Sequence, residues 1–97
     1  MITHIVTFRF AESVDAASRQ AVLDELQTFP SRFPAMQRWR LGANQSRRDD
    51  TFTHAFVVEF AAEEDLLRYL GSEAHEEFVR NRWKPVIASR AITSFEH

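Results

Sequence analysis

Three histidines and a tyrosine have the residue types and positions to do chemistry together. The chain contains four histidines, and three of them, His4, His54 and His75, fall within predicted elements. A neutral imidazole accepts a proton near neutral pH, so it can act as a general base. The hydroxyl of Tyr69 can donate a hydrogen bond to a substrate oxygen. These groups suit enolisation, aldol cyclisation or the binding of a small ligand, whereas the terminal His97 is given no role.

The segment 71-GSEAHEEF-78 decides how His75 is presented. We predict that Gly71 ends one helix in the left-handed conformation that glycine adopts without strain. Ser72 is predicted to cap the next helix by accepting a free backbone N–H. His75 then occupies about the third helical position, where the positive end of the helix dipole disfavours the imidazolium. The sequence therefore predicts a neutral His75.

Each of these residues also has a structural explanation. A histidine on an apolar strand face is commonly a core residue bonded to a backbone carbonyl, and Tyr69 can be the edge residue of an amphipathic helix. A metal site is not predicted, because the spacing of His4, His54 and His75 matches no local ligand motif. The chain also lacks a glycine-rich phosphate loop and a nucleophile motif, so no cofactor is expected.

Two predicted strands carry two of the histidines on equivalent faces. In residues 2–10, alternation places His4 on a face that is otherwise apolar. Residues 52–60 repeat the pattern with His54. The two strands are neighbours at the centre of the predicted sheet, so we expect both imidazoles to lie close together under the same end of the helices.

The remaining periodicities complete a β-α-β-β-α-β order. This order is the ferredoxin-like plan of the α+β class, a four-stranded antiparallel sheet with helices on one face. The second helix is predicted in two pieces, broken at Gly71-Ser72 and ended by Pro85. The other predicted elements are a helix over 15–29 ended by Pro30, a weaker strand over 36–42, a polar loop over 43–51, a helix beginning at 63–65 and a last strand over 91–96.

The second face of this sheet predicts a partner. Four apolar residues lie off the histidine-bearing faces or on strands of uncertain register: Ile5, Trp39, Leu41 and Val57. A partly apolar surface of this kind is typical of a protein interface. We therefore expect a second copy of the chain to cover it, which makes the protein a homodimer.

Composition restricts the remaining possibilities. The 97 residues are predicted to form one domain, 1–97, and a net charge of −2 gives no electrostatic basis for nucleic-acid binding. There are no cysteines, so disulfide and thiolate chemistry are excluded. The opening residues have a strand pattern rather than that of a signal peptide, and no apolar run is long enough to cross a membrane. A cytoplasmic location is expected.

Four segments together resemble the stress-responsive A/B barrel domain (Dabb) family. They are MITHIVTFRF at the start, 53-THAFVVEF-60, 69-YLGSEAHEEF-78 and 91-AITSFE-96. The resemblance implies a ferredoxin-like fold that dimerises through its sheets into an α+β barrel. The family includes plant stress proteins, bacterial proteins without an assigned role, and a plant polyketide cyclase. The catalytic positions of that cyclase correspond to His4, His75 and Tyr69, while His54 matches a further histidine common in the family.

The resemblance implies a homodimer with a histidine-lined pocket for a small hydrophobic or carbonyl ligand. The pocket residues expected beside the three polar groups are Val6, Phe8, His54, Phe56 and Phe78. One alternative is a cofactor-independent enzyme, polyketide-cyclase-like or an isomerase, with His75 as base and His4 and Tyr69 orienting the substrate. A further alternative is a cofactor-free monooxygenase. The cyclase-type segment reads H-P-A-H where this chain has S-E-A-H, so Glu73 adds a carboxylate that argues against the same substrate. A cavity of about 300 Å³ or more would favour an enzyme or a binder.

Overall fold

Strand pairing in the computed structural model, which describes residues 1–97, gives one four-stranded antiparallel sheet. The strands are β1 (Ile2–Phe10), β2 (Gln37–Ala43), β3 (His54–Phe60) and β4 (Ile87–Glu96), in the order β2-β3-β1-β4. The helices are α1 (Ala16–Leu26), α2 (Phe29–Arg32), α3 (Glu63–Leu70) and α4 (Glu73–Phe78), and α4 continues into a π-helical turn, Val79–Trp83. The predicted ferredoxin-like α+β plan is confirmed.

Two element boundaries differ from the prediction by more than two residues. The first helix ends at Leu26, and Pro30 lies within the short α2 instead of ending the helical region, because proline is tolerated in the first turn of a helix. The last strand begins at Ile87, four residues before the predicted start, because it pairs with β1 as far as Phe10. This longer β4 forms one edge of the sheet and supplies side chains to the candidate site.

The core lies between the helices and one face of the sheet, the helix-side face. Alternate residues of β1 and β3 point into it, and Phe8, Val58 and Phe60 are completely buried. From the helices, Leu26 and Phe29 are each only 1% exposed. Burying these large apolar side chains is the main stabilising contribution available to a chain of this size.

The opposite face of the sheet, the open face, carries fewer apolar residues than expected. Ile5 and Val57 lie opposite each other in the β1–β3 register and are only half-buried. Trp39 and Leu41 belong to the helix-side face instead, since Leu41 pairs with Phe56 and Trp39 stacks on the Phe56 ring at 4.8 Å. The pairing register of β2 with β3 shifts between Gln37 and Arg40, so the side chains of β2 do not alternate regularly between the two faces there.

Candidate functional site

Helix capping positions His75. Ser72 begins α4 as predicted, with its Oγ accepting a hydrogen bond from the His75 backbone N–H at 3.1 Å. Gly71 ends α3 as predicted, but the predicted left-handed conformation is wrong, because its φ of −90° is right-handed. The His75 Nδ1 lies 3.0 Å from the Leu70 carbonyl oxygen, and a carbonyl only accepts, so Nδ1 carries the proton. In the neutral ring Nε2 therefore keeps a lone pair able to accept a proton.

A cross-strand pair holds His4. The His4 ring is 2% exposed, and its Nδ1 lies 2.7 Å from Oγ of Ser94, the residue opposite it on β4. The partner is a hydroxyl and not the backbone carbonyl expected of a core histidine. A hydroxyl both donates and accepts, so either tautomer of His4 satisfies this bond.

Tyr69 stands between the two imidazoles. Its ring meets His75 edge-on at a centroid distance of 4.6 Å and His4 at 6.4 Å, and it stacks on Phe60 at 5.7 Å. Tyr69 is only 5% exposed, and its hydroxyl bonds to no other residue of the chain. Every completely buried side-chain oxygen of the chain has a hydrogen-bond partner. The Tyr69 hydroxyl is therefore not completely buried, and it is free to donate to a ligand.

The three polar side chains line one cavity of about 130 Å³ between the sheet and the helices. Most of the wall is apolar, and residues of β4 close one side of it. Besides His4, Tyr69 and His75, the lining comprises Val6, Leu26, Phe29, Phe56, Leu70, Phe78, Val79, Trp83, Arg90 and Ile92. Of the predicted pocket residues, Val6, Phe56 and Phe78 line the same cavity as the three polar groups.

Burial sets the protonation of these groups. Desolvation, reinforced by the nearby His75, lowers the pKa of His4 to about 4. Desolvation also lowers the pKa of His75, against smaller raising effects of the Leu70 hydrogen bond and the Glu76 charge. Burial raises the pKa of Tyr69 above its ordinary value. Near neutral pH the cavity therefore presents two neutral imidazoles and one protonated phenol.

The structure places His54 and Phe8 outside this cavity. His54 pairs with Phe8 across β1 and β3, four residues along β1 from His4, a separation of about 13 Å at the usual rise per residue. Each histidine begins its own strand, and antiparallel strands begin at opposite ends of the sheet. His54 instead stacks on Phe8 at 5.5 Å and contacts Thr53 Oγ through Nδ1 at 2.9 Å.

Several residues of the site escape prediction from the sequence. Ser94 and Ile92 lie on the His4 side of β4, and their alternation within the predicted last strand could have identified them. Leu26, Phe29 and Trp83 have only the helical periodicity of core residues, and nothing in it distinguishes a cavity wall from a filled core. No three His, Asp or Glu side chains are grouped so that they could hold a metal ion.

The buried His4 predicts a pH dependence of stability. The pKa of His4 is about 4 in the folded chain, below the ordinary value of 6.5. Between these two pH values His4 is protonated only in the unfolded chain, so the folded state loses stability as pH falls from 6.5 towards 4. Relative to His4→Asn, whose amide can still bond to Ser94, the wild type is expected to lose about 1–2 kcal/mol of unfolding free energy between pH 7 and 5.

Urea denaturation of both proteins at the two pH values measures the difference. His54 and His75 also have lowered pKa values, but both proteins retain them, so their contributions cancel. An equal loss of stability in wild type and His4→Asn would contradict a neutral, buried His4.

The sheet, the helix-side core and the cavity define a ferredoxin-like α+β protein with a small, partly open cavity. Over residues 2–97 the sequence matches the stress-responsive A/B barrel domain family. The chain belongs to this family, as the four segments of the sequence indicate. Among curated proteins none matches the chain.

Solved structures of similar proteins support the fold. A Dabb-family protein of Mesorhizobium loti with a ferredoxin-like fold is 22% identical, with a TM-score of 0.88 over 99% of this chain and 95% of that one. The hydroxynitrile lyase of Passiflora edulis is 21% identical, with a TM-score of 0.88 over 97% and 90%. A dimeric ferredoxin-like protein of unknown function from Thermobifida fusca is 22% identical, with a TM-score of 0.83 over 99% and 90%. No helix of the chain combines the length and the apolar character needed to cross a membrane.

Proposed function

We propose that this chain is a homodimeric small-molecule binder whose cavity takes a small carbonyl compound. The observation that carries the proposal is the convergence of the Tyr69, His4 and His75 side chains on one largely apolar cavity. An apolar site with a few convergent polar groups is the usual form of a ligand site. The protonated Tyr69 donates to the carbonyl oxygen, while the apolar wall holds the hydrocarbon part.

The size of the cavity limits the ligand. At about 130 Å³ it is neither filled nor as large as the sites of roughly 300 Å³ and more that hold drug-sized molecules. A ligand of a few carbon atoms with one polar group matches this volume. A linear polyketide would need more room than the cavity provides.

Two observations support the homodimer. Structural neighbours from Thermobifida fusca and Bacteroides fragilis are described as dimeric. On the open face, the apolar Ile5 and Val57 lie side by side, and the neighbouring β4 leaves Phe95 47% exposed. Light scattering tests this part of the proposal by distinguishing the 11.3 kDa chain from a species of twice that mass.

Binding of 2-pentanone tests the ligand class. Replacing Tyr69 with phenylalanine removes only the hydroxyl, and the loss of one neutral hydrogen bond is expected to weaken binding about 3- to 10-fold. Titrations followed by NMR chemical shifts measure the dissociation constants. The control is His54→Gln, because His54 lies outside the cavity. This variant should bind 2-pentanone as tightly as wild type does. Equal affinity in wild type and Tyr69→Phe would overturn the proposed binding mode.

A second candidate function, a proton-transfer enzyme of the cyclase or isomerase type, is favoured by one observation. The free Nε2 of a neutral His75 stands beside the Tyr69 ring, an arrangement in which a base and a hydrogen-bond donor can act on one carbonyl compound. The Passiflora edulis neighbour is a lyase, so enzymes occur on this fold. The monooxygenase alternative gains no separate support from the cavity.

A further inference from the structure

A cationic side chain stands where the cavity meets a second hollow. Arg90 of β4 lines the cavity and also an adjoining groove of about 160 Å³, and Val79 and Trp83 are likewise shared by the two. Because Arg90 pairs with Phe8 in the β1–β4 register, it projects from the helix-side face. The cavity and the groove are therefore adjacent, and the Arg90 side chain lies on the boundary between them.

No acidic residue lines the cavity or the groove. Arg90 forms none of the six ion pairs of the chain, whereas Arg82 is engaged by both Glu25 and Glu77. Lys84 and Ser89 add an ammonium and a hydroxyl to the groove. The chain as a whole has a net charge of −2, so this uncompensated positive charge is local to the mouth of the site.

We infer that the ligand of this site is an oxo acid whose carboxylate is bound by Arg90 at the junction. The inference rests on the proposed function, because Tyr69 takes the oxo group and the apolar wall takes the chain between the two ends. A guanidinium presents paired N–H donors that match the two oxygens of a carboxylate. Lys84, further along the groove, contributes a second positive charge without fixing the orientation.

Two probes with the same oxo chain test the inference: 5-oxohexanoate, which is an anion, and its methyl ester, which is neutral and larger by one methyl group. Arg90 is exposed, and an exposed ion pair contributes up to about 1 kcal/mol, so wild type is expected to bind the acid about 2- to 5-fold more tightly than the ester. Arg90→Gln should lose this preference, so that it binds the acid and the ester with equal affinity. Arg80→Gln, which removes an exposed arginine that lines neither hollow, should retain the preference. Calorimetric titration of these three proteins and of Tyr69→Phe gives all the constants.

The outcomes separate this inference from the proposal beneath it. Equal binding of acid and ester by wild type, or the same loss of preference in Arg80→Gln as in Arg90→Gln, overturns the role of Arg90. If the ester still binds in that case, and does so more weakly to Tyr69→Phe, the carbonyl site survives and the carboxylate site alone fails. If wild type binds neither probe, both proposals fail.

Discussion

Replacing Phe8 with alanine is expected to lower the free energy of unfolding by about 3–5 kcal/mol, the usual loss when a buried phenylalanine is truncated. Phe8 is completely buried, and its ring centroid lies 4.8 Å from that of Trp83 and 5.5 Å from that of His54. Truncation leaves a void beneath both neighbours, because a packed core relaxes only partially. Urea denaturation, monitored by circular dichroism at one protein concentration, measures the change.

An exposed apolar residue gives the control for this loss. Leu67 on α3 is 57% exposed, so Leu67→Ala should change stability by less than about 0.5 kcal/mol. If Phe8→Ala does not fold, Phe8→Leu retains most of the volume and should cost about 1–1.5 kcal/mol. A loss in Phe8→Ala no larger than that in Leu67→Ala would show that Phe8 is not a core residue.

Phe8 also shows what alternation predicts and what it leaves open. The two-residue period of β1 correctly places His4, Val6 and Phe8 on the helix-side face. Only His4 and Val6 line the cavity, while Trp83 of the π-helical turn packs on Phe8 and fills the space above it. Alternation indicates the face of a residue, but the approach of a helix from a distant part of the sequence decides whether that residue borders a cavity.

The position of His54 depends on strand direction. Equivalent places in two strand patterns predict one face, and His4 and His54 do share it. Distance along that face follows from the antiparallel register, which brings His54 opposite Phe8. The ferredoxin-like plan already requires β1 and β3 to be antiparallel, so applying it to the two strand starts would have separated the histidines.

At the break between α3 and α4, the sequence predicts the N-cap of α4 but not the backbone conformation of Gly71. A serine before an acidic helical segment is a strong N-cap signal, and Ser72 forms that bond. The glycine signal is weaker, because a C′ glycine permits the left-handed conformation without requiring it. Ser72 itself adopts an extended backbone with ψ of 148°, and this turns the chain so that His75 meets Tyr69.

For the second candidate function, the proton-transfer enzyme, replacing His75 with glutamine is expected to slow proton transfer in the cavity by about 10²- to 10⁴-fold, the usual contribution of a positioned general base. The reaction is the exchange of the α-hydrogens of 2-pentanone for deuterium in heavy water, followed by NMR. The bond from Nδ1 to the Leu70 carbonyl fixes the ring and leaves Nε2 as the base, whereas a glutamine amide accepts no proton near neutral pH. Because burial lowers the pKa of His75, exchange should persist below pH 6.5, where an ordinary histidine becomes protonated.

The matched control separates catalysis from binding. His54→Gln makes the same chemical change on β3, outside the cavity, so its exchange rate should equal that of wild type. The dissociation constant of 2-pentanone for His75→Gln, taken from the same samples, shows whether the ketone still occupies the site. Lost exchange with retained binding assigns the base to His75. The contrary result is exchange by wild type that is no faster than exchange with free imidazole at equal concentration. This result would rule out the enzyme alternative and leave the chain a binder, because the His75 imidazole would then lie beside the ketone without reaching its α-hydrogens.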